Sequence, residues 1–145
     1  DSYRYISMYV GTIFGQTAQQ LLSAGEQEKA KKLVVNAYEN MPKRAYLMSE
    51  VMSYVPLLDV MYKVGESAKA NEIIKRNLDF IRENMAYYEA VSETKSNLEY
   101  RNMRFGLASI QRYKQLFDEV NQPELKKQSD ELFHVYQHYF EQQGQ

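Results

Sequence analysis

The chain has 145 residues, 18 basic and 19 acidic side chains, a formal net charge of −1 and no cysteine. That length suits one domain burying roughly two thirds of its unfolded surface. The missing thiols exclude disulfides, a thiolate nucleophile and a cysteine zinc site, and the balanced charge gives no strong pull toward nucleic acid or anionic lipid.

Gly totals 6 and Pro 3 against a hydrophobic fraction of 44%, which argues against disorder and against an all-β fold built on frequent turns. No apolar run approaches the roughly 20 residues that span a bilayer, and no secretory leader pattern is visible. The chain begins at Asp1 rather than Met, as expected of a piece of a longer protein with targeting or membrane segments outside it.

Helical periodicity runs along the chain. The first segment sets Ile6, Val10, Ile13, Phe14, Ala18, Leu21 and Leu22 on one face and stops at Ala24-Gly25, where Gly accepts the left-handed cap conformation. The second repeats Ala30, Leu33, Val34, Ala37, Tyr38 and Met41 as an amphipathic stripe and ends before Pro42, with Glu26 and Glu28 where the helix dipole favours carboxylates. The third, from about Arg44 to Val64, turns Val51, Tyr54, Val55, Leu58, Met61 and Tyr62 inward. Pro56 lies inside it, which predicts a kink or two short helices with Pro56 in the first turn of the second. Gly65 closes that segment, Ser67 is the expected cap of the next, and Ala70, Ile73, Ile74, Leu78, Ile81 and Met85 carry the fourth. The polar stretch 86–97 reads as a connector. Met103, Leu107, Ile110, Tyr113, Phe117 and Val120 form the fifth helix, and Asn121-Gln122-Pro123 the turn into a sixth, which carries Leu125, Leu132, Tyr136, Tyr139 and Phe140. The tail from Gln142 is expected to fray.

An internal repeat is the strongest signal. Gly25-Glu26-Gln27-Glu28-Lys29-Ala30 and Gly65-Glu66-Ser67-Ala68-Lys69-Ala70 share Gly, Glu, Lys and Ala at the same offsets, 40 residues apart. Periods of this size mean stacked helical hairpins, each too small to hold a core alone. Here the chain resembles the tetratricopeptide repeat, whose turn Gly, two small Ala positions, large apolar position and closing Pro match Gly25, Ala30, Ala37, Val34 and Pro42. The second copy keeps Gly65, Ala70 and Ile74, then departs at Asn77 and Arg82. The resemblance implies an all-α array of antiparallel hairpins, here about 3–41, 44–85 and 98–141, stacked in a short right-handed superhelix. It also implies a concave groove for an extended peptide or partner helix, at Thr12, Gln19, Ser23, Met52, Asp59, Tyr62 and Lys63. The plainer reading is that these residues face solvent or the neighbouring hairpin.

A narrower resemblance rests on Phe14-Gly15-Gln16-Thr17-Ala18-Gln19-Gln20-Leu21-Leu22-Ser23-Ala24-Gly25, with Glu28-Lys29-Ala30 and Asn40-Met41-Pro42 after it. The run from Tyr62-Lys63-Val64-Gly65-Glu66 into Lys69-Ala70-Asn71-Glu72-Ile73 adds to it. These stretches look like the C-terminal soluble region of the DUF2723 group of Bacteroidetes membrane proteins, whose membrane part is similar to protein O-mannosyltransferases. That implies an extracytoplasmic appendage, with any glycosyl transfer belonging to the membrane portion of the parent.

Other constellations carry less. Asp130, His134 and His138 are spaced to share a helix face, and two His four apart can hold a metal, but Phe133 and Val135 flank the first His where metalloprotease motifs carry a glutamate, and the plainer reading is a solvated stripe near a chain end. Arg101, Arg104, Arg112 and Lys114 make the fifth helix basic enough for a lipid head group or phosphosugar, with Glu99, Asp118 and Glu119 in balance. Tyr3, Tyr5 and Tyr9 fit a membrane-interface belt or packing on the second and third helices. The only two histidines share one late helix and the glycines are isolated, so neither a hydrolytic triad nor a phosphate loop is suggested, and no pattern asks for a cofactor. The expected role is a non-catalytic interaction or scaffolding module on the extracytoplasmic side of the cell envelope, with the cytoplasm as the alternative compartment. It would bind a peptide, a protein or the membrane portion of its parent, and neither bind nucleic acid nor span the membrane itself. The alternatives are a structural domain that packs on its parent or self-associates, and an unrecognised hydrolase or metal site.

Overall fold

The computed structural model describes residues 9–91 and 97–141, and the regular structure among them is all helical. A π-helical stretch, Val10–Phe14, runs straight into α1, Gly15–Ser23. It is followed by α2 (Gln27–Asn40), α3 (Met48–Ser53), α4 (Val55–Lys63), α5 (Ser67–Val91), α6 (Asn97–Glu119), α7 (Pro123–Tyr136) and α8 (His138–Glu141).

The two repeat signatures become the same turn. Gly25 and Gly65 hold φ of +79° and +84°, a region that a Cβ makes costly. In the first, the Gly25 and Glu26 N–H groups donate to the Leu22 and Leu21 carbonyls at 3.0 and 2.9 Å. In the second, the Gly65 and Glu66 N–H groups donate to Tyr62 and Met61 at 3.2 and 2.8 Å. This paired pattern satisfies carbonyls that a helix end leaves orphaned. Glu66 stands just before α5, so it, and not Ser67, occupies the capping position. Lys29 then pairs with Glu26 at 2.9 Å and Lys69 with Glu66 at 2.6 Å.

Pro56 splits the third segment as its missing N–H requires: α3 ends at Ser53, Tyr54 is the break, and Pro56 sits in the first turn of α4. The two halves face different neighbours, α3 packing chiefly on α6 and α4 on α1, α2 and α5. Gly11 and Gly15 let the π-helical stretch and α1 lie close on the α3–α4 break. A Cβ on Gly15 would stand 2.6 Å from the Leu57 nitrogen and 2.8 Å from the Pro56 Cβ, and one on Gly11 would stand 2.9 Å from the Ser53 carbonyl oxygen.

The core draws on α1 to α7 and includes Ala18, Val34, Leu57, Leu58, Met61, Ile73, Leu78, Ile81, Met103, Leu107 and Ile110, each fully buried. At its centre the Tyr113 hydroxyl accepts from the Asn77 amide at 2.9 Å and donates to the Val51 carbonyl at 3.0 Å, tying α5 and α3 to α6. Burial pushes the Tyr54 hydroxyl up to about 12 and holds Tyr113 higher still, because low-dielectric surroundings disfavour phenolate. Both tyrosines are therefore neutral at any pH near 7.

Three sequence expectations are corrected. The stretch 86–97 is not all connector: α5 continues to Val91 and α6 opens at Asn97. Buried Met85 and half-buried Tyr88 give the extra turns a packed side, and Asn102 donates to the Tyr88 hydroxyl at 3.1 Å. Ile13 is 53% exposed rather than inward, because the π-helical stretch shifts the period that set its face. Tyr9 is 61% exposed and does not pack beneath the later helices. Tyr3, Tyr5, Ile6 and the tail from Gln142 lie outside the described residues.

Candidate functional site

The candidate groove residues fall into three places. Gln19 on α1 and Asp59 and Lys63 on α4 come together. Lys63 Nζ reaches Asp59 Oδ2 at 2.9 Å, and Gln19 Nε2 approaches the same oxygen at 3.4 Å. They meet because the glycine face of α1 lets it lie directly on the start of α4, which brings its polar edge beside that of α4. Gln19 and Ser23 also line an open depression of about 560 Å³ with Gln16, Gln20 and Ala24. Thr12 is half-buried in the π-helical stretch before α1.

Tyr62 is elsewhere. It is only 9% exposed, its hydroxyl donates to Asn71 Oδ1 at 2.6 Å, and Asn71 donates in turn to Gln122 at 2.9 Å. Burial pushes this hydroxyl up to about 12. Tyr62 thus closes the seam between α4, α5 and the entry to α7 and is not available to a groove ligand. The helical spacing that made it a groove position equally fits the seam side of α4, which is apolar nearly all round: Leu57, Leu58, Val60 and Met61 are all fully buried.

Met52, on α3, belongs to a second depression of about 320 Å³, lined also by Arg101, Arg104, Phe105 and Ala108 of α6 and Phe140 of α8. The four cations of α6 therefore separate. Arg101 and Arg104 rim this hollow, whereas Lys114 pairs with Asp130 at 2.8 Å and Arg112 donates to Gln115 at 3.1 Å. Sequence reasoning treated Met52 and the arginines as unrelated features, and the pairing of α3 with α6 is what joins them.

The Asp130, His134 and His138 stripe is broken. Asp130 faces Lys114, α7 ends at Tyr136, and His138 opens a separate short helix with its ring 4.0 Å from that of Tyr139. Among the described residues no group of three or more His, Asp or Glu side chains is placed to share a metal ion, and no helix is long and apolar enough to cross a membrane.

A third depression, of about 480 Å³, lies between the 41–47 loop and α5, where Lys43, Arg44, Lys75 and Arg76 alternate with Glu72, Asp79 and Glu83. Each of its carboxylates has a partner: the Tyr38 hydroxyl donates to Glu72 at 2.6 Å, Arg82 pairs with Asp79 at 2.6 Å, and Arg44 approaches Glu83 at 3.5 Å. The bond to Glu72 raises the Tyr38 hydroxyl above its usual range, because the carboxylate favours the protonated donor. Comparison with protein-family models, curated proteins and solved structures returns no match for this chain.

Proposed function

We propose that this domain is a non-catalytic protein-interaction module built on tetratricopeptide-like hairpins, and that it serves as the extracytoplasmic appendage of an envelope membrane protein. The observation that carries the reading is the polar patch of Gln19, Asp59 and Lys63, set where α1 and α4 lie side by side and open to solvent next to Gln16, Gln20 and Ser23. Support for the hairpin arrangement comes from the succession of contacts: α1 with α2, α1 with α4, α4 with α5, α3 with α6 and α6 with α7. Each first helix touches both its own partner and the next first helix, as stacked repeats require. The envelope placement rests on the resemblance of residues 14–25 and 62–73 to the soluble region of the O-mannosyltransferase-like membrane family.

The test uses two baits on fractionated envelope from the source cell: the domain and a Gln19→Ala/Asp59→Ala/Lys63→Ala variant of equal melting temperature. A protein held by the first and lost by the second supports a peptide-binding patch. Equal retention, or none, sinks that placement and favours the structural reading, in which the domain packs on its parent or on a second copy.

A further inference from the structure

We infer that the hollow between α3, α6 and α8 is the subsite that holds the partner's anchor, and that the anchor is a polypeptide segment bearing a bulky apolar side chain beside an acidic one. This rests on the reading of the domain as a protein-interaction module and names the chemistry of what it takes.

The floor is apolar, formed by Met52, Phe105, Ala108 and Phe140. Phe140 stays 40% exposed although its ring lies tilted against that of Phe133, 6.4 Å between centroids. Thioether and phenyl groups accept varied apolar shapes. The volume of about 320 Å³ sits at the lower end of the ~300–1,000 Å³ of small-ligand sites, which suits one or two side chains.

The rim supplies charge. Arg101 is exposed and has no carboxylate partner among the described residues, and Arg104 lies one turn further on the same edge. Glu99 and Arg104 each have interactions of their own, so Arg101 is the cation with capacity to spare. A guanidinium offers a planar fork that fits a carboxylate through two bonds. The chain as a whole carries −1, so this positive rim is a local feature and complements a local acidic group.

A peptide fits better than an anionic membrane. Polybasic lipid contact relies on clusters of roughly four to eight cations, whereas two, Arg101 and Arg104, line this hollow and Lys114 is paired with Asp130. Arg101 and Arg104 flank a concavity lined by three helices, which a flat lipid surface cannot enter.

The experiment titrates the isotopically labelled chain with three blocked peptides, whose cores are Glu-Phe-Glu-Leu, Lys-Phe-Lys-Leu and Glu-Ser-Glu-Ser, and with vesicles of phosphatidylglycerol. Backbone amide shifts locate any binding. The acidic apolar peptide should bind with a Kd on the order of 100 µM, at least about tenfold tighter than the other two. Its shifts should centre on Met52, Phe105, Ala108 and Phe140. An Arg101→Glu/Arg104→Glu variant should lose about tenfold, and the single exposed change Arg101→Ala should lose several-fold if the double variant does not fold. Shifts centred instead on Gln19, Asp59 and Lys63 overturn this subsite and leave the interaction module standing. Equal binding of all three peptides, a response to vesicles alone, or no peptide response at millimolar concentration overturns the inference outright.

Discussion

Residues 25–42 and 65–82 enter their helices through the same turn, with the same glycine conformation, the same two backbone bonds and the same Glu–Lys pair. Beyond that point they diverge. In the first copy Ala37 lets α2 approach its neighbours and Pro42 stops the helix after Asn40. In the second, Asn77 stands where Ala37 stood and Arg82 where Pro42 stood. Asn77 spends its amide on Tyr113, and with no proline to stop it α5 runs to Val91. The turn also sits differently: the Glu26 side chain is 47% exposed, the Glu66 side chain only 14%, because Lys31 of the first copy reaches over to it at 3.5 Å. Among the described residues the α2 helix of the first copy contacts α1 and α4, whereas the α5 helix of the second contacts α4, α6 and α7. Each departure from the shared pattern marks a place where the second copy meets a further neighbour.

The comparison breaks most sharply at the helix before each turn, where the first copy has Gly11 and Gly15 and the second has Val51 and Val55. Making the first like the second, with Gly15→Val, should cost about 3 kcal/mol or more in urea unfolding. The new Cβ meets the Leu57 backbone nitrogen at 2.6 Å, and overpacking against rigid backbone exceeds the usual ~1–3 kcal/mol. A loss below about 1 kcal/mol would mean that α1 can slide away from α4.

Exchanging the small and polar positions comes next. Ala37→Asn should destabilise by about 2–3 kcal/mol, since a buried amide without partners loses its hydration. Asn77→Ala should cost about 2 kcal/mol, by stripping the Tyr113 hydroxyl of its donor in a site that is fully buried. Chemical denaturation of both variants decides whether the two copies are specialised. If either swap proves neutral, they are not.

The turns themselves should answer alike. Gly25→Ala and Gly65→Ala each force a Cβ into positive φ with no neighbour within 4 Å, so only backbone strain of about 1–2 kcal/mol is at stake. Melting shifts of the two variants that differ more than twofold would show that the second turn carries more than conformation.

The smallest effect is acidic. The Lys69 ammonium bonded to Glu66 holds its carboxyl below its ordinary value of 4.5, with Lys31 adding to the pull. The folded state therefore favours the carboxylate. This contribution is present above about pH 4.5 and is lost as pH falls through the lower folded value. A Glu66→Gln variant should show a flatter melting-temperature profile than the parent between about pH 3 and about pH 6. An unchanged slope would assign the acid sensitivity to other carboxylates.

Much of the fold was legible because its punctuation is chemical. Gly25, Gly65, Pro42, Pro56 and Pro123 act through their own backbones, so their effects need no partner, and all sit where sequence places them. The stripe of α2 was legible for the same local reason. What escaped depends on partners far along the chain. The extension of α5 past Met85 rests on Tyr88 meeting Asn102 and on the Tyr139 hydroxyl meeting Glu89 at 3.2 Å. Tyr62 leaves the candidate groove because Asn71 and Gln122 are waiting for its hydroxyl. One missed signal was within reach: Gly11 and Gly15 are four apart, which on one helix face marks a close approach. The Arg101 and Met52 hollow was not, since nothing local links α3 to α6.

The break at Tyr54 makes the middle of the chain a shared support. α3 packs chiefly on α6 and α4 chiefly on α1, so neither the α1–α2 pair nor the α6–α7 pair can detach without exposing one half of the broken helix. Amide protons of α4, with Leu57, Leu58, Val60 and Met61 all sealed, should therefore exchange with solvent only when the whole molecule opens, while the turns at Gly25 and at Asn121 release theirs through local fraying. A mechanical pull on the two ends would meet its resistance at this one kinked element.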